Sequence, residues 1–160
     1  MADVQFNISR GKVNEYFARV DGNDPANSAI VIVLLKVAEA DATLVDYDDL
    51  AAVLAGSNTE ADFTNYARKV LTDTDITAPV PDDTNDWQVA DIAAQTWTSA
   101  GGTLDNTLVK LLLCYDSDTT GGTDANIVPI AAYDFAATTN GADLTATPSA
   151  NGLYRAKAAV

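Results

Sequence analysis

Every position of Ala29-Ile30-Val31-Ile32-Val33-Leu34-Leu35 is apolar, and most are β-branched. That pattern suits a strand covered on both faces. A buried helix has the same periodicity, but the residue types favour the strand. Upstream the spacing is different. Val13, Tyr16, Phe17 and Val20 recur at helical intervals and predict a helix with one apolar face. Ser9 is its expected N-cap and Gly22 its expected stop. A second helix is predicted from about Tyr47 to Ala55, capped by Asp46, with Asp48 and Asp49 in its first turn. Leu50, Val53 and Leu54 form its buried face and Gly56 ends it. Phe63, Tyr66 and Val70 fit either a further short helix or the approach to a strand.

The pattern changes after about Leu71. Pro79, Pro81 and the run Asp82-Asp83-Thr84-Asn85-Asp86 read as a long surface connection. Strands are expected at Trp87 to Ile92, Leu108 to Tyr115, Val128 to Phe135, Asp143 to Ala146 and Leu153 to Lys157. Ser99-Ala100-Gly101-Gly102 signals a loop. Asn140-Gly141 and Asn151-Gly152 are dipeptides that type I′ hairpin turns prefer. The expected class is α+β: N-terminal helices and a buried strand, followed by an antiparallel β-sandwich or meander. The whole chain, 1–160, reads as one domain, with a helical and strand part over about 1–71 and a β-rich part over about 72–160. The strand at Ala29 to Leu35 is able to join the later sheet.

A chain of 160 residues buries roughly 70% of the surface that its unfolded form exposes, so it needs no disulfide or metal staple. Composition then narrows the chemistry. Nine Lys and Arg stand against 23 Asp and Glu, a formal net charge of −14. Such a surface repels phosphate, which argues against nucleic-acid and anionic-membrane partners. The chain has no histidine, which removes Ser-His-Asp and Cys-His catalysis, imidazole acid–base chemistry and His-ligated metals. Cys114, the single cysteine, lies in the apolar run Leu111 to Tyr115 and reads as a small buried hydrophobe. No signal peptide is evident at the start. The apolar run at Ala29 is far shorter than the ~20 residues that span a bilayer.

Few constellations suggest a site. Asp116, Asp118 and Asp124 lie among glycines between two apolar runs and make a weak calcium candidate, since Ca²⁺ takes oxygen ligands. Thr120 stands where an EF-hand would place its third ligand, and no Glu closes the loop. The simpler reading is a solvated loop. Asp46, Asp48 and Asp49 read as a capped helix start, and Asp82, Asp83 and Asp86 as a solvated turn. Trp87 and Trp97 are expected to pack on strands. Asn7-Ile8-Ser9 matches the glycosylation triplet, a pattern common by chance. P-loop, dinucleotide-binding and nucleophile-elbow motifs are absent. These observations predict no catalytic residues and no cofactor.

The segments Ser9-Arg10-Gly11-Lys12-Val13-Asn14-Glu15-Tyr16 and Asn23-Asp24-Pro25-Ala26-Asn27-Ser28-Ala29 resemble tailed-bacteriophage virion structural proteins. So do Phe63 to Leu71, Gln95 to Gly102, Cys114 to Asp118 and Asp143 to Thr147. The resemblance covers nearly the whole chain. It implies a non-enzymatic virion component made in the host bacterial cytoplasm, best matched to a head decoration (cement) protein. Its implied partners are the major capsid protein and itself, as a homotrimer on the capsid surface. Arg10, Lys12 and Arg19 make the first segment locally cationic, and are the expected capsid contacts. The competing role is a tail, neck or head-fibre associated protein with a glycan-contacting β region. A fibre would show long β repeats or heptads, which this chain lacks.

Overall fold

The computed structural model describes residues 3–150 and 152–157. In chain order the elements are β1 (Val4–Gln5), α1 (Val13–Asp21), β2 (Ala29–Val37), α2 (Asp41–Leu44), α3 (Leu50–Ala55), β3 (Thr59–Glu60) and β4 (Lys69–Leu71). They continue as β5 (Ile76–Asp82), β6 (Trp87–Ile92), β7 (Gln95–Trp97), β8 (Thr107–Asp116), β9 (Val128–Thr138), β10 (Leu144–Ala146) and β11 (Tyr154–Lys157). Strand outweighs helix, 39% against 18%, so the class is a sheet-rich α+β fold.

The apolar run that opened the sequence is the centre of the main sheet. Its order is β1-β9-β8-β2-β3, all antiparallel, with β4 also on the free edge of β2. Each of the first seven residues of β2 is buried, because both faces of the sheet are covered. On one face Ile30, Ile32 and Leu34 meet Leu111, Leu113 and Tyr115 of β8, beneath Val13, Phe17 and Val20 of α1. Tyr16 stacks on Tyr115 with ring centroids 4.6 Å apart. On the other face Val31, Val33 and Leu35 join Leu112 and Cys114 under Phe6, Leu44, Leu50 and Val53. Full burial of each such aliphatic side chain stabilises the fold by about 1.5–3 kcal/mol. Cys114 is buried as expected, and burial pushes its thiol pKa well up.

Two small antiparallel sheets complete the α1 side, β5-β6-β11 and β7-β10. Ala90, Ile92 and Trp97 join the same core cluster as α1. The strand expected at Trp87 to Ile92 has those bounds in the structure. Those expected at Leu108, Val128, Asp143 and Leu153 are present with shifted ends.

Several expectations are corrected. Ser9 does not cap α1. It lies in a 3-10 turn, Asn7–Ser9, and its buried hydroxyl donates to the Pro129 carbonyl. Helix α1 starts after Lys12, which makes no side-chain cap. The second helix is shorter than predicted and is capped by Asp49, whose Oδ1 accepts from the Ala52 amide at 2.7 Å. Asp46 instead accepts from the Asn7 side chain at 2.6 Å. The segment after Phe63 leads into a strand, β4.

The supposed surface connection at Pro79 and Pro81 is strand β5. It lies at a sheet edge, where a missing proline N–H leaves no partner unsatisfied, and a register shift falls between Thr77 and Val80. Asn140-Gly141 makes no hairpin: β10 pairs with β7, not with β9. The amides of Asn140 and Gly141 both donate to the Ala100 carbonyl, bracing the loop at Ser99 to Gly102. Asn151 of the second dipeptide lies outside the described residues.

Candidate functional site

The three predicted contact cations sit at different places along the α1 segment. Arg10 and Lys12 are exposed in the turn that leads into α1. Arg19 lies in the last turn of α1, and its guanidinium meets the Glu15 carboxylate at 2.8 Å, four residues back on the same face. Hydrogen bonding to Glu15 holds the Arg19 pKa up.

The three acidic loop residues are engaged separately. Asp116 ends β8, and its Oδ1 accepts from the Asp118 amide at 3.0 Å. Asp118 accepts from the Thr120 amide and hydroxyl at 3.0 and 2.6 Å, which lowers its carboxyl pKa. Asp124 faces Arg68. Its Oδ1 lies 2.6 Å from Nη1 and its Oδ2 3.0 Å from Nη2. Among the described residues no three His, Cys, Asp or Glu side chains are grouped to hold a metal ion.

Arg68 is the hub of a network that sequence reading did not find. Its Nε and Nη2 fork onto Glu60 at 2.8 and 2.7 Å, while Asp124 takes the other edge of the guanidinium. Glu60 Oε1 also accepts from the Tyr66 hydroxyl, which itself accepts the Leu34 amide of β2. Hydrogen bonds to Glu60 and Asp124 raise the Arg68 pKa, and the Arg68 fork lowers that of Asp124. The acidic loop is thereby tied to the edge of the main sheet.

Lys110 of β8 is the second missed residue. Nothing in the run Leu108-Val109-Lys110-Leu111 distinguishes it from a surface lysine. In the structure its side chain is 0% exposed. Nζ lies 2.6 Å from Asp134 Oδ1 and 2.9 Å from Asp41 Oδ1. Asp134 is directly opposite in β9, and Asp41 opens α2. Burial alone depresses an ammonium pKa, but the hydrogen bonds to Asp134 and Asp41 outweigh it and raise that of Lys110.

The tryptophans differ in role. Trp97 is a core residue whose indole N–H donates to the Ala67 carbonyl at 2.8 Å. Trp87 is half-buried on β6, with the Arg155 guanidinium 4.0 Å from its ring centroid. A cleft of about 320 Å³ opens beside the core, with Ile32, Ile92, Leu111, Tyr133 and Phe135 among its walls. No protein-family model, curated protein or solved structure matches this chain.

Proposed function

We propose that this protein is a structural component of a tailed-phage particle, a decoration protein that binds the outer shell and stabilises the expanded head. The observation that carries this reading is the resemblance of segments spread along the chain, from Ser9-Arg10-Gly11-Lys12 to Asp143-Leu144-Thr145. The charge supports it. A protein made in many copies must stay dispersed before it docks, and a net charge of −14 opposes self-association. In this reading the contact with the major capsid protein runs through Arg10, Lys12 and Arg19, and the protein sits on the shell as a trimer. Long-range attraction to an acidic shell would make docking salt-sensitive.

A cryo-EM reconstruction of the intact particle tests this directly. Density for the chain in trimers on the outer shell is the expected result. Density at the neck or tail would replace decoration with a tail-associated role, and absence from the particle would overturn the virion reading. Exchanging Arg10, Lys12 and Arg19 together for Glu should weaken shell binding in a co-sedimentation assay. Unchanged binding would remove these three residues from the interface.

A further inference from the structure

The geometry points to a covalent cross-link: Lys110 Nζ and the Asp134 side-chain carboxyl condense to an amide joining β8 to β9, with Asp41 relaying protons. This inference does not depend on the virion reading. Three observations carry it. First, the two side chains are paired by the backbone itself, since Lys110 and Asp134 are cross-strand partners in the sheet register. Nζ is 2.6 Å from Asp134 Oδ1, so amine and carboxyl are held together as in an intramolecular reaction.

Second, the amine is shut away from bulk water. The Lys110 side chain is 0% exposed. Leu35 stands opposite in β2, and Leu112 follows on the same face of β8. The attacking amine therefore reaches the Asp134 carboxyl from the enclosed side, where low polarity lessens the bias toward separated charges, while the carboxyl itself borders solvent. Third, one cation faces two carboxylates. Asp41 Oδ1, 2.9 Å from Nζ, is the second acid that such a reaction requires.

The resting state is the ion pair, with the ammonium protonated. Reaction proceeds through the tautomer in which one proton has passed from Nζ to the Asp134 carboxylate. The Nζ lone pair then attacks Asp134 Cγ and forms the C–N bond. Asp41 takes a proton from that nitrogen and delivers it to the departing hydroxyl. The C–O bond breaks, water leaves, and Asp41 is again a carboxylate. An ammonium and a carboxylate have become an amide and water, with no change of oxidation state. Asp134 is 36% exposed, which gives the released water a way out.

The test is the intact mass of the full-length protein under denaturing conditions, followed by protease digestion. The expected mass is one water below that of the sequence, and the digest should contain a branched peptide joining Lys110 to Asp134. Lys110→Arg should have the full sequence mass. Asp134→Asn should lose ammonia in place of water and give the same branched peptide, which separates the cross-link from a succinimide at the new Asn. Asp41→Ala should slow the reaction by about a hundredfold, the usual contribution of a positioned proton-transfer group. The wild-type measurement needs no variant to fold. A full sequence mass after prolonged incubation would overturn the inference, leaving a non-covalent ion triad. So would a loss of water without the branched peptide, as a succinimide at Asp21-Gly22 would give.

Discussion

Two cations in this protein each sit between two carboxylates, yet they are built for different work. Arg68 spreads four N–H···O contacts over Glu60 and Asp124 at the edge of the main sheet, where solvent reaches 27% of its side chain. Lys110 lies beneath the other face of the sheet, and places a single compact ammonium against Asp134 and Asp41. A guanidinium is planar, resists deprotonation and suits a fixed fork. An amine is a point charge that can lose its proton and become a nucleophile. The same local charge pattern therefore makes a clamp around a partly exposed guanidinium and a reactive triad around a buried amine. Burial and residue type separate the two.

The contrast can be broken at three places. Lys110→Met should have the largest effect. It removes the amine that meets the Asp41 and Asp134 carboxylates, and with it any link to Asp134, at a cost of about 3 kcal/mol, measurable by urea unfolding. A loss below about 1 kcal/mol would mean the carboxylates simply rehydrate and the triad is a peripheral one. Next, Arg68→Ala should cost about 1–2 kcal/mol, less than a fully buried pair because water screens each partner. Part of this loss should depend on pH. Arg68 depresses the folded-state pKa of Asp124, so the stabilisation is present above the unfolded carboxyl pKa of 3.8 and is lost as pH falls through the folded value. The difference between wild type and variant should thus narrow only below about pH 4. Smallest of all, Arg19→Ala removes an exposed ion pair on α1, and should leave the unfolding midpoint unmoved. A clear shift there would show that Arg19 does more in the isolated protein than face solvent.

Some features were legible because they depend on near neighbours in the chain. The run at Ala29 to Leu35 announced a strand buried on both faces, since no solvent-facing position interrupts it. Helix α1 followed from the spacing of Val13, Tyr16, Phe17 and Val20, all of which point into the core. Gly22 and Gly56 mark the ends of α1 and α3. Other features turned on contacts that local pattern does not encode. Ser9 has the chemistry of a cap, but the Pro129 carbonyl claims its hydroxyl. Pro79 and Pro81 look like loop residues until β5 is seen to lie on a sheet edge.

The sequence by itself determined the buried strands, the main helix, the acidic surface and the absence of imidazole chemistry, because these follow from residue type and short-range periodicity. Tertiary structure alone decided that β2 lies between β8 and the β3 and β4 edge, that Arg68 takes Asp124 out of the acidic loop, and that Lys110 is enclosed with Asp41 and Asp134. Charged side chains carry no label for burial. Their partners come from strands and turns distant in the chain, and only the register of the folded sheet brings those partners within bonding distance.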